Sequence, residues 1–230
     1  MVARKRYFKI DANQSWNPRM HKDRFPNTRM PLAIALLWSA GLGISFWIAK
    51  DRLTWTMEIF PALIVFILIW RTRYTFALTP LLYSLIALHG LILMVGGAYT
   101  YAHVPLGFWM QEWFGFARNN YDKIGHFAQG FVPAMAAREL LMRKFGVRQD
   151  GLVAFLCVCI SLAVSALYEI IEWWSALLLG QGADEFLGTQ GDIWDTQSDM
   201  LFALIGALTA MLLLRRRHDR QMRALSAGQE

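Results

Sequence analysis

The sequence predicts an all-α protein, a six-span transmembrane helical bundle with both termini in the cytoplasm. Three observations lead there. Of 230 residues, 56% are hydrophobic and only 17% are charged, with a mean hydropathy of +0.31; a soluble domain is charged at roughly a quarter of its positions. Six apolar runs meet or approach the length of about 20 residues that crosses a hydrocarbon core. Nineteen of the 23 lysines and arginines fall on alternate sides of a six-span scheme, and basic loops stay on the cytoplasmic side. Composition thereby excludes a disordered chain, a fibrous repeat and an ordinary cytosolic domain. The runs are continuous rather than alternating, which excludes a closed barrel.

The elements follow in order. Residues 1–30 form a basic cytoplasmic extension with eight cations, from Arg4 to Arg29. The first span, 31–49, follows this polar leader and has no small-residue cleavage site behind it, so it reads as a retained anchor. Spans two, 55–70, and three, 76–98, are nearly featureless except for His89 at mid-depth. An ionisable group there is expected to face the protein interior. The connection 101–120 crowds Phe108, Trp109, Trp113, Phe114 and Phe116 together, as a segment lying in the headgroup region would. Span four, 121–142, is the most polar, and spans five, 152–179, and six, 195–214, complete the transmembrane domain at 31–214. A basic tail, 215–230, carries five arginines from Arg215 to Arg223. Leader and tail suit anionic lipid headgroups; no nucleic-acid module is visible, and none is expected as a partner. Cys157 and Cys159 are two apart on a helix and cannot pair with each other.

The motif-bearing part is 121–206. Asp122, His126 and Gln129 are spaced four and three, so they share one helix face. Ser161, Ser165, Glu169 and Glu172 make a second stripe at the outer end of span five. Asp192, Asp195 and Asp199 make a third, provided the last helix has begun by Asp192. Asp184 and Glu185 lie in the loop between. The derived orientation brings all three stripes to the outer side of the membrane. Up to five carboxylates around one histidine, with Lys123 and Arg118 as the local cations, suggest a divalent metal ion. Oxygen ligands suit magnesium, calcium or manganese, and a histidine also admits zinc or iron. The candidate ligands are Asp122, His126, Glu169, Glu172, Asp192, Asp195 and Asp199. Protonated acids in a carrier, or a hydrogen-bonded interhelical network, fit the same residues. If chemistry occurs, His126 and Glu169 are the proton-transfer candidates, and Lys123 suits an anionic phosphate or carboxylate. No HExxH, phosphate-cradling glycine loop or redox CxxC is present.

Three phrases carry a resemblance: Tyr121-Asp122-Lys123-x-x-His126-Phe127, Tyr168-Glu169-Ile170-Ile171-Glu172-Trp173, and Gly191-Asp192-x-Trp194-Asp195-Thr196-Gln197-x-Asp199-Met200. Together they resemble the YjdF-like family of bacterial inner-membrane proteins, over spans two to six. The resemblance implies a multi-pass protein of the bacterial inner membrane and supplies no reaction. A weaker similarity runs to VanZ-like membrane proteins, through Asp122, Lys123, His126, Glu169 or Glu172, Asp195, Asp199 and Gly206. The chain departs from that pattern with Ala203 where an asparagine is expected. The function expected from all of this is an inner-membrane protein with an outward-facing acidic and histidine site, binding a metal and acting on an envelope or lipid-linked small molecule. The alternatives are an ion- or proton-coupled transporter and a non-catalytic envelope scaffold or binding protein.

Overall fold

The computed structural model describes residues 29–179 and 190–227. The basic leader and the loop acids Asp184 and Glu185 lie outside the described residues. Everything described is helix or connection, with no strand among the described residues. Helices α1 (Arg29–Ile48) and α2 (Arg52–Thr72) form a hairpin. Its turn is set by Asp51, whose carboxylate accepts from the Thr54 N–H at 2.6 Å and caps α2. That backbone bond holds the Asp51 carboxyl below the ordinary aspartate range.

Helix α3 (Pro80–Ala98) starts four residues later than the apolar run suggests. Thr79 is the reason. Its hydroxyl accepts from the Leu82 N–H at 3.3 Å, and Pro80 sits at the first helical position, where its missing N–H costs nothing. Buried polar bonds then lock the first three helices. The Trp38 indole donates to Ala87 O, Ser45 donates to Met94 O, and the Trp55 indole donates to Ser45 Oγ.

The short helix α4 (Pro105–Phe114) fills the aromatic connection, with Trp109, Trp113 and Phe114 exposed. Helix α5 (Tyr121–Glu139) follows, continued by a π-helical turn at Leu140–Lys144. The last three helices are α6 (Asp150–Leu179), α7 (Asp195–Leu213) and α8 (Arg215–Ala227).

Helix α5 is the axis of the molecule, packed by α3, α6 and α7. Its contact with α7 is the most extensive and depends on glycine. A Cβ on Gly130 would lie 1.8 Å from Ala203 O, and one on Gly206 would lie 2.1 Å from Phe127 O. Ala134, Ala203, Ala207 and Ala210 are fully buried along the same seam. Small residues on both helices let the backbones touch, which is how helices associate where lipid supplies no hydrophobic drive.

Among the described residues, five helices are long and apolar enough to cross a membrane: α1, α2, α3, α6 and α7. Helix α5 matches them in length but not in composition. Because neighbours surround it, it can carry buried polar groups where a lipid-facing helix could not.

The basic tail carries a helix of its own. Helix α8 docks on the bundle: His218 is fully buried and Met222 nearly so, while Arg215, Arg216, Arg217, Arg220 and Arg223 stay exposed. A second polar cluster holds it. Glu139, fully buried, accepts from Thr79 N at 2.9 Å, Thr79 Oγ1 at 2.7 Å and Arg143 Nη1, and lies 2.8 Å from His218 Nε2. Arg138 pairs with Asp219 at 2.6 Å, and Gln221 Oε1 accepts from the Leu81 N–H. Arg138 and Arg143 thus tie α5 and its π turn to other elements of the bundle.

Candidate functional site

The polar face of α5 meets α6 and α7 at one end of the bundle. Two of the three stripes meet there as the spacing implies. Asp122, His126 and Gln129 are buried on α5, and Ser161, Ser165 and Glu169 are buried on α6. The third is shortened. Helix α7 begins at Asp195, so Asp192 is off its face. Its carboxylate instead accepts from the Trp194 N–H at 2.9 Å, in the turn before the helix. Asp195 and Asp199 remain as the inward pair, one turn apart.

Two cations neutralise three aspartates. Arg118 Nη2 lies 2.7 Å from Asp122 Oδ2 and 2.5 Å from Asp195 Oδ1. Lys123 Nζ lies 2.7 Å from Asp195 Oδ1, 2.8 Å from Asp199 Oδ1 and 3.5 Å from Asp122 Oδ2. Burial alone would lower the Arg118 pKa, but the facing Asp122 and Asp195 carboxylates outweigh it and raise the value. Lys123 bridges two helices and is held from both sides, so its charge is already committed. These side chains are only 4% to 12% exposed, so the pairs are hydrogen-bonded ions out of water.

A second group lies beside them and is not satisfied. His126 Nδ1 stands 3.8 Å from Glu169 Oε1, and His126 Nε2 stands 3.6 Å from Asp199 Oδ2. Both gaps exceed a hydrogen bond. His126 Nδ1 and Glu169 Oε1 are buried atoms with no hydrogen-bond partner, in side chains whose residues are 8% and 6% exposed. One ligand atom from each of His126, Glu169 and Asp199 falls within 4.8 Å of the other two. Asp122, Asp195 and Asp199 form a similar trio, but Lys123 and Arg118 already fill its role.

Beyond His126 the site opens into a cavity of about 420 Å³ between α2, α3, α5 and α6. Glu172, one turn beyond Glu169, lines it together with His89, Tyr101 and Tyr168. Glu58 joins them from α2, accepting from Tyr168 Oη at 2.8 Å. His89 therefore faces the interior as its depth suggests, and its Nε2 is buried without a partner. Tyr101 reaches the cavity through an unusual turn, with Thr100 and Tyr101 both at positive φ, 52° and 48°.

Sequence reasoning passed over Glu58, Tyr101 and Tyr168. Two carried a signal: Tyr168 opens the Tyr168–Trp173 phrase, and Glu58 is the one acid inside α2, where a charge within a membrane-length helix marks a site by default.

A helical bundle with five membrane-length helices and a buried carboxylate–histidine cluster defines a polytopic membrane protein. The chain belongs to the family described as "Predicted membrane protein (DUF2238)", which matches residues 30–220. It is 58% identical over 194 residues to "Inner membrane protein YjdF" of Escherichia coli (strain K12), covering 84% of this chain and 90% of that protein. No solved structure matches it. The chain is thus an inner-membrane protein of the YjdF type. The family match takes in α1, one span more than the motif phrases alone suggest.

Proposed function

We propose that this protein holds a divalent cation at His126, Glu169 and Asp199, on the outer side of the inner membrane, and acts there on an envelope or lipid-linked substrate. One observation carries this reading: a buried imidazole nitrogen and a buried carboxylate oxygen that bond to nothing, with a second carboxylate in reach. Leaving such groups unpaired costs about 1–3 kcal/mol each, and a cation shared with Asp199 would satisfy both. A donor set of two carboxylates and one imidazole suits a first-row divalent metal. A bound metal would polarise a substrate oxygen or lower the pKa of water. Asp122 and Asp195 orient Lys123, the cation that fixes Asp199, and Lys123 is a positioning residue in this scheme. Glu172 and Glu58 face the adjoining cavity.

The orientation belongs to the same proposal. Helix α5 serves as the sixth crossing, both termini are cytoplasmic, and the exposed arginines of α8 meet anionic headgroups. Elemental analysis of detergent-purified protein, beside His126→Ala and Glu169→Gln, tests the metal. Near-stoichiometric metal in wild type and its loss in both variants is expected. Wild-type protein without metal, and with no gain in thermal stability when metal is added, would sink the reading.

One observation favours transport as a second reading. His89 lines the same cavity, whose lining reaches as far as Leu140. Ion flux in proteoliposomes that disappears in His89→Ala would move transport ahead. A scaffold role would instead leave Glu169→Gln and Asp199→Asn without phenotype in folded protein.

A further inference from the structure

The cavity has two ends of opposite character. Asp122 and Leu140 of α5 both line it, a separation of about 27 Å at 1.5 Å per residue. A volume of about 420 Å³ drawn out over that length is a slot rather than a chamber. Its lower part is apolar, lined by Val65, Pro133, Ala136, Leu140, Ile160 and Val164. Several of these also keep much of their surface accessible: Val65 is 37% exposed, Ile160 38% and Val164 40%. Val65 belongs to α2 and the other two to α6. These helices are joined at the outer level by the Tyr168–Glu58 bond, and they are not a closely packed pair. The slot therefore opens sideways between α2 and α6, along the face where lipid tails lie.

Water gains little from such a slot, which offers few polar partners along its apolar part. A hydrocarbon chain fits. Moving from bilayer to slot, it exchanges one apolar surrounding for another, so the chain itself adds little preference. The polar end must then select the ligand. It is lined by five carboxylates, Glu58, Glu172, Asp122, Asp195 and Asp199, against two cations that are already paired. An anionic headgroup is repelled there, and a cation is drawn in. Glu58 and Glu172 flank the slot with the rings of Tyr101 and Tyr168, and carboxylates beside aromatic faces are what an ammonium group prefers. His126 Nδ1, buried and without a partner, lies on the same wall.

We infer that the slot binds one chain of a membrane lipid that enters between α2 and α6, with an amine-bearing headgroup held at Glu58 and Glu172. This deepens the proposed site by naming the ligand class, and it stands whether or not a metal sits behind His126.

Native mass spectrometry of the purified full-length chain tests it, with phosphatidylethanolamine and phosphatidylglycerol of matched chains supplied at equal concentration. The wild type should retain the amine lipid at least fivefold over the anionic one. Val164→Trp and Ile160→Trp should each cut lipid retention at least fivefold by filling the slot. Glu172→Gln should reduce the preference between lipids while retention persists. Both tryptophan variants replace partly exposed side chains, and unchanged helix content and a monodisperse elution would confirm folding. Metal content measured on the same samples should be equal in wild type and the tryptophan variants, which separates this inference from the metal reading. Undiminished retention in both tryptophan variants would mean ordinary annular lipid and overturn the slot. Equal or better retention of the anionic lipid would overturn the amine headgroup.

Discussion

Lys123 shows how one residue holds the site together. It is a single cation between two aspartates of another helix, 2.7 and 2.8 Å away. Removing one partner of a buried ionic set leaves uncompensated charge, at a cost of about 3–5 kcal/mol. Lys123→Met should therefore lower thermal stability far more than Glu112→Gln, an exposed change on α4. Second-site Asp199→Asn should recover part of the loss, because it removes one orphaned charge. Scanning calorimetry or a tryptophan-based melt would read this; no rescue would mean that Asp199 is not the partner that matters. Glu58 makes a smaller case. Its buried carboxyl accepts from Tyr168, so Tyr168→Phe should cost about 0.5–1.5 kcal/mol. Asp51 is exposed, and its pH dependence has a definite sign. The folded carboxyl titrates below its ordinary range, so its capping contribution is complete above that range and fades as pH falls through the lowered value. Asp51→Asn keeps the cap and should flatten that acid dependence in a stability profile.

At the scale of elements, the α5–α7 seam decides whether the stripes meet. Gly130 and Gly206 face each other's helices at distances no Cβ can occupy. Overpacking a seam costs about 1–3 kcal/mol and more where backbone must move. Gly130→Val and Gly206→Val should each separate α5 from α7. The separation would pull Lys123 from Asp195 and Asp199 as well as lowering stability. Cysteine cross-linking between Phe127 and Ala203 positions, efficient in the parent protein, should fail in either valine variant. A neighbouring exposed change such as Leu208→Val should leave it intact. Helix α6 carries two small polar residues, Ser161 and Ser165, whose buried hydroxyls have no hydrogen-bond partner.

At the scale of the whole molecule, polar clusters sit at both ends of the central helix. The upper one surrounds Asp122 and His126; the lower one surrounds Glu139, which joins α5, Thr79 at the head of α3, and His218 of α8. Glu139→Ala should free α8 without disturbing the upper cluster. Hydrogen exchange would then rise over 215–227 and at the start of α3, while α7 stays protected. Rapid exchange of α7 as well would show that the lower cluster supports the bundle as a unit. The proposed orientation has its own check. A cysteine at Trp113, on the exposed face of α4, should react with an impermeant maleimide added outside the inner membrane. A cysteine at Arg223 should react only after permeabilisation.

Fold class and location were legible in the sequence because they follow from local quantities. Apolar run length sets the helices, and the helix period sets which residues share a face; Asp122, His126 and Gln129 were placed on α5 that way. The three motif phrases already pointed to the family. Other features are properties of packing and are not written in any window of sequence. Lys123 looked like a free cation for a substrate, and only the approach of α7 gave it two aspartates. Asp192 looked like a ligand, and the start of α7 at Asp195 removed it from the face. Glu58 and Tyr168 lie 110 positions apart, so no spacing could join them. The basic tail read as a cytoplasmic segment suited to anionic headgroups, and only the tertiary structure showed His218 buried against Glu139. The sequence by itself determined which surfaces each helix would offer; the tertiary structure decided which charges found partners, because pairing depends on distances between helices that no local period encodes.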